Sequence, residues 1–203
     1  MFLKQIVLPG DIISPKPKII NNTYVESGKT YSMVTGMYDE EKGRLIQLEG
    51  GWFPQRGDMV VGIVSNSGRN GTYSLDLAHF MAGLIIGKKG ESAFSKGDVI
   101  EAEVEKVEGR KTIVLMMPKV LRGGMLVGVR PSKVHRIIGK NNTMVKQISE
   151  LTGTTIVVGE NGIIWIKGAN AQQAESTILE VERAAHVSGL TEIIKQKLVS
   201  RGN

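Results

Sequence analysis

A glycine, a cation and two amides in a row, Gly139-Lys140-Asn141-Asn142, sit in the middle of an apolar-periodic stretch running from Val134 to Ile148. The spacing predicts helix, tight loop, helix. Ile137 and Ile138 close the first helix, and Gly139 turns with no Cβ in the way. Thr143 is expected to N-cap a second helix whose Val145, Ile148 and Leu151 share one face. The chemistry this offers is the holding of a polyanion. A phosphate backbone can come close to Gly139, meet Lys140, and accept hydrogen bonds from N–H groups at a helix start. Bond-breaking chemistry has no comparable constellation. His79, His135 and His186 are isolated, and no metal-ligand spacing or Ser-His-Asp arrangement can be assembled. Asp39, Glu40 and Glu41 fall together in one turn and are expected to be solvated. The chain has no Cys, which removes disulfides and thiolate metal sites and fits a reducing compartment. No catalytic residue, metal or cofactor is assigned.

Charge placement carries more than the net value of +6. From Gly109 to Ser149 there is no Asp or Glu, while Arg110, Lys111, Lys119, Arg122, Arg130, Lys133, Arg136, Lys140 and Lys146 are cationic. Such a segment is either a solvated basic surface or a face that attracts nucleic acid. The Gly-Lys-Asn-Asn loop falling inside it favours nucleic acid. His135 beside Arg136 is either a contact to that partner or a surface residue without a role. No apolar run approaches the ~20 residues of a membrane span and the N-terminus lacks a signal-peptide layout, so a cytoplasmic protein is expected.

The elements that must position the loop can be read outward from it. Met125 to Val129 is a strand and Pro131 starts the first helix. Thr154–Val158 and Ile163–Lys167 are strands joined by a Gly159-Glu-Asn-Gly162 turn. A last helix carries Ala171, Ala174, Ile178, Val181 and Ala185 and is expected to end near Gly189. A further short helix, 191–201, docks through Ile194 and Leu198. This β-α-α-β-β-α order, with its loop between two helices, resembles the type I KH domain, whose GxxG loop clamps single-stranded RNA. Asn142 departs from that pattern by standing where a second glycine is usual, a position Asn can still hold in a left-handed conformation. Ile85-Ile-Gly-Lys-Lys-Gly90 matches the letters better but leaves no room for a following helix.

Upstream, Gly57-Asp58 opens Met59–Val64, Asn70-Gly71 is a strong hairpin signal, Tyr73–Leu77 alternates, Gly97-Asp98 opens Val99–Glu105, and Thr112–Met116 closes the set. These strands resemble an S1 domain, a five-stranded OB-fold barrel that binds RNA. Arg69, next to Asn70 of the Asn-Gly turn, and Lys88 and Lys89 in the long loop are expected to put cations at its rim. Tyr73, Phe80 and Phe94 either stack bases or fill the core. Residues 1–56 read as short strands, among them Tyr31–Thr35 and Arg44–Leu48, separated by turns at Pro9-Gly-Asp11, Glu26-Ser-Gly28 and Asp39–Gly43. This is too little core to stand without a neighbour.

The expected architecture is multidomain, mainly β with α+β. An N-terminal β-rich domain (1–56) is followed by an S1 five-stranded OB-fold barrel (57–120), a type I KH domain (123–188) and a helical extension (189–203). With Pro9-Gly-Asp11, Pro54-Gln-Arg-Gly-Asp58 and Gly159-Glu-Asn-Gly-Ile-Ile-Trp165, this order resembles the S1-KH cap subunits of the RNA exosome in their archaeal form. The resemblance implies a non-catalytic RNA-binding cap, three copies on a hexameric ring of RNase PH-like subunits beside other cap subunits. The N-terminal piece would dock on the ring. RNA 3' ends would be gathered by Lys133, Arg136, Gly139, Lys140, Asn141, Asn142 and Lys146, and passed over Arg69, Asn70, Lys88 and Lys89 at the pore. It also implies that the Gly159–Gly162 turn supports structure. A free-standing S1-KH protein of translation or transcription, and a nuclease in its own right, are the rival readings.

Overall fold

The computed structural model describes residues 4–68, 71–78, 81–87, 93–108, 112–184, 192–194 and 196. The chain divides into two compact units, Met1–Phe53 and Pro54–Asn203.

The first unit holds β1 (Lys4–Val7), β2 (Ile12–Ser14), β3 (Thr23–Glu26), β4 (Lys29–Ser32), β5 (Thr35–Asp39) and β6 (Arg44–Glu49) in two antiparallel sheets, ordered β1-β5-β6 and β2-β4-β3. Val7, Val34, Tyr38 and Leu45 form its core, with Ile13, Ile20 and Phe53 packed against them. The run Tyr31–Thr35 is not one strand. Ser32 Oγ donates to Val34 O (2.7 Å) and accepts from Val34 N–H (3.2 Å), and this local bridge breaks the ladder and carries the chain from one sheet to the other. Nor is the acidic turn wholly solvated. Asp39 is buried and accepts from Lys42 N–H at 3.1 Å, closing the turn from within, while Glu40 and Glu41 are exposed.

The second unit begins with β7 (Met59–Ser67), β8 (Thr72–Asp76), β9 (Ala82–Ile86), β10 (Val99–Glu108) and β11 (Thr112–Leu121), closed into a barrel in the order β10-β11-β9-β8-β7. The repeated Gly-Asp pairs prove to be one device. At each, the glycine takes a positive φ (93° at Gly57, 94° at Gly97) and the aspartate accepts from the N–H three residues earlier, Gln55 or Ser95. Each turn also bonds to the adjacent strand of the β7–β10 pair, Gly57 and Asp58 with Val104, Gly97 and Asp98 with Val64. Gly10-Asp11 repeats the pattern in the first unit, bonding to Ser32 and accepting from Leu8 N–H.

The rest of the unit is β12 (Met125–Gly128), α1 (Pro131–Ile138), one 3-10 turn over Lys140–Asn142, α2 (Thr143–Thr152), β13 (Thr155–Val158), β14 (Ile163–Lys167) and α3 (Ala171–Arg183). The sheet order is β12-β14-β13. This is the β-α-α-β-β-α order expected of a KH fold. One sheet face meets the helices through Val127, Ile164 and Ile166, against Val134, Ile137, Met144, Ile148, Ala174, Ile178 and Val181. Ile194, within a described helical stretch at 192–194, joins this core; Leu198 lies outside the described residues. The other sheet face meets the barrel, where Trp165 packs with Val61 and Leu121. β14 therefore reads as an unbroken apolar run because it is covered on both sides.

Three expectations change in this part. The buried face of α2 is Met144, Ile148 and Thr152, a run of i, i+4, i+8, and Leu151 is 40% exposed. Thr143 is the first residue of α2, and the N-cap is Asn142. The helix α3 stops at Arg183, ahead of Gly189, and Ala184 closes it by donating to Glu180 O at 2.9 Å.

Candidate nucleic-acid interface

The loop is built by α1 running out at Ile138. Gly139 N–H closes on His135 O at 3.0 Å, and Asn142 N–H on Gly139 O at 3.3 Å. Gly139 has φ 74° and ψ 170°, and a Cβ there would lie 2.8 Å from both the N and the Cβ of Met144. No larger residue fits, so the backbone is bare at this point. Asn141 and Asn142 both take left-handed conformations ahead of α2, and no side chain caps the helix. Lys140, Asn141, Asn142, Thr143 and Lys146 are exposed on the loop and α2, His135 and Arg136 are exposed on α1, and Lys133 is half-buried. The structure thus brings the seven sequence-chosen loop and helix residues onto two short helices and the turn between them. Cations, a bare glycine and a helix start that no side chain caps together suit a phosphate chain.

Arg69, Asn70, Lys88 and Lys89 lie outside the described residues, as do His79, Phe80 and His186. Their flanks are described. Gly68 N–H bonds Thr72 O at 2.7 Å and Gly87 N–H bonds Gly71 O at 2.8 Å, which ties the base of one loop to the base of the other at a single rim of the barrel. Ile85 and Ile86 end β9, so the second Gly-Lys-Lys-Gly run follows a strand and not a helix. Tyr73 and Phe94 meet edge to face with centroids 4.9 Å apart and Tyr73 is buried, so this pair fills the barrel.

What spacing alone could not show is how the loop's helices are anchored. The Gly159–Gly162 turn reaches back to β7, where Asn161 is fully buried. Its Nδ2 donates to Val61 O (2.8 Å) and Leu77 O (2.9 Å), and its Oδ1 accepts from Val61 N–H (3.2 Å). Glu182 of α3 accepts from Arg130 N–H (2.9 Å) and Arg130 Nε (3.1 Å), holding the start of α1. Glu160 donates its N–H to Met59 O at 2.8 Å and holds a half-buried carboxyl. Burial raises the pKa of that carboxyl above its ordinary 4.5, the Asp58 charge raises it further, and His135 opposes both. Since the folded state disfavours the charged form, no stability is lost below the ordinary value; the loss grows as pH rises through it and is complete above the raised one. Glu160→Gln is therefore expected to raise the thermal midpoint by about 1–2 °C near neutral pH, solvent screening keeping the effect small, and to match the parent below about pH 4. Melting curves at the two pH values check this.

A family model described as KH domain matches residues 124–172, which enclose the loop. Curated relatives match far more of the chain. The exosome complex component Rrp4 of Thermococcus kodakarensis is 34% identical over 98% of this chain and 86% of its own length. The chain belongs to the Rrp4 family of exosome components. Rrp4 of Methanothermus fervidus is 30% identical with 98% of both chains covered, and that of Pyrobaculum aerophilum 32% identical with 96% of this chain and 92% of its own covered. Both units therefore fall within the Rrp4 alignment. A crystal structure described as that of a proposed exosome complex RNA-binding protein shares the fold, with a TM-score of 0.63, 24% identity, and coverage of 74% of this chain and 97% of its own. Among the described residues there is no group of three or more His, Asp or Glu placed to hold a metal ion, and no helix long and apolar enough to cross a membrane.

Proposed function

We propose that this chain is a non-catalytic, RNA-binding cap subunit of a cytoplasmic exosome, seated in three copies with other cap subunits on a hexameric ring of RNase PH-like subunits. It captures single-stranded 3' ends and feeds them to the ring, where degradation occurs. The observation that carries this reading is the near full-length similarity to Rrp4 proteins combined with a KH loop in which Gly139, the exposed Lys140 and a helix start without a side-chain cap lie together. The loop has the parts for holding a strand and none for cutting one. Docking through the N-terminal unit is supported by its outer sheet face. The strand register aligns Ile6, Met37 and Ile46 in one cross-strand row, in which Ile6 is 69% and Ile46 36% exposed. Such a row on a small unit suits a protein partner.

Mixing the protein with candidate ring subunits and weighing the product tests assembly. RNA binding by Lys140→Glu tests capture. Affinity for every RNA sequence should fall by a similar factor, on the order of tenfold at low salt, and the slope of log affinity against log salt should shrink by roughly one phosphate contact. Unchanged affinity at low ionic strength would remove the loop from the interface, and shortening of RNA by the isolated chain would remove the cap reading.

A further inference from the structure

Asn141 and Asn142 hold left-handed backbones one after the other, φ 53° and ψ 37° then φ 62° and ψ 20°, and both are exposed. Glycine is the residue that takes such angles without strain, and it is what a loop needing only close backbone approach would carry. Asn142 adds a Cβ and a carboxamide to the surface over which a bound strand passes. An asparagine at an N-cap ordinarily accepts from the amides of the first helical turn, from an extended backbone. Asn142 makes no such bond, and its backbone at the cap is left-handed and not extended. Asn142 is exposed, as is Lys140 two residues before it. Among the barrel's described residues, Tyr73 and Phe94 pack on each other.

The geometry points to Asn142, with Asn141 beside it, as the specificity-determining contact of the KH loop. The carboxamide hydrogen-bonds the edge of an unstacked base in single-stranded RNA, while Lys140 and the helix-start amides hold phosphate whatever the base. This rests on the reading that the loop binds RNA. A carboxamide carries a donor and an acceptor side by side, and a base edge that matches both is favoured over one that matches neither.

The test is a binding titration of full-length protein with oligo(A), oligo(C) and oligo(U) of equal length at one salt concentration, using the parent, Asn142→Gly, Asn141→Gly with Asn142→Gly, and Lys140→Ala. Glycine is at ease at these angles, so the asparagine variants keep the fold, and a melting curve confirms it. The parent's affinities should spread by about fivefold or more across the three oligomers. Asn142→Gly should bring the spread to within about twofold, and the double variant no further apart, while RNA is still bound. Lys140→Ala should weaken all three by a common factor and keep the spread. A parent with no spread, or an Asn142→Gly protein with the parent's spread, overturns the inference and leaves RNA capture standing. Failure of the parent to bind any oligomer overturns RNA capture itself, and this inference with it.

Discussion

Asn161→Ala is expected to lower the stability of the second unit by about 3–5 kcal/mol, because the truncation strands three buried partners at once. Val61 N–H, Val61 O and Leu77 O all look to this one side chain, and it is fully buried. A buried polar group left unpaired costs more than a hydrogen bond contributes, since the water that would replace the partner cannot enter. For a unit of this size the thermal midpoint should fall by roughly 10 °C. Asn161→Asp keeps the shape but points a carboxylate at two carbonyl oxygens, and should be at least as damaging. Scanning calorimetry checks both. A fall in midpoint no greater than that of an exposed substitution such as Gln172→Ala would mean the turn does not anchor the KH fold to the barrel.

Trp165→Ala should cost a comparable amount, about 3–5 kcal/mol, for a different reason. Trp165 is 5% exposed, fills the space between the KH sheet and Val61 and Leu121 of the barrel, and donates Nε1–H to Gly123 O at 2.6 Å. Its removal opens a cavity on the barrel side of β14 and releases the connection from β11 to β12. Trp165→Phe retains most of the apolar contact but orphans Gly123 O, and should fall between the alanine variant and the parent. Because Asn161 and Trp165 both press on Val61, the double alanine variant should be less destabilised than the sum of the singles, with a coupling of about 0.5–3 kcal/mol. Strict additivity would show that barrel and KH fold are held by independent contacts.

Both effects concern a junction that no local pattern announces. Gly159-Glu-Asn-Gly162 reads from sequence as a hairpin turn, and it is one. That its asparagine bonds a strand a hundred positions earlier depends on how the barrel closes, and no spacing within the turn encodes it. The same holds for Asp39. In sequence it is one of three acids in a turn, and only the fold buries it while leaving Glu40 and Glu41 outside. Tyr73 and Phe94 are ambiguous as residues, and barrel closure decides that they pack on each other.

Local physics was sufficient wherever a short-range rule acts alone. The Gly-Asp pairs are turns because glycine takes the positive φ and aspartate reaches back three residues, and all three pairs behave this way. Alternation gave the barrel strands, and Pro131 marked the start of α1. Gly139 between two helical runs announced the loop, since a turn that tight leaves no space for a Cβ. Three-dimensional packing chose the rest. It selected Met144 over Leu151 as the buried side of α2, made Asn142 the cap in place of Thr143, and split Tyr31–Thr35 at the Ser32–Val34 bridge. Sequence thus determined which backbone shapes were affordable and that the loop would present positive charge. Tertiary structure alone decided which polar side chains were buried and against what, because desolvation depends on neighbours far apart in the chain and no residue carries that information by itself.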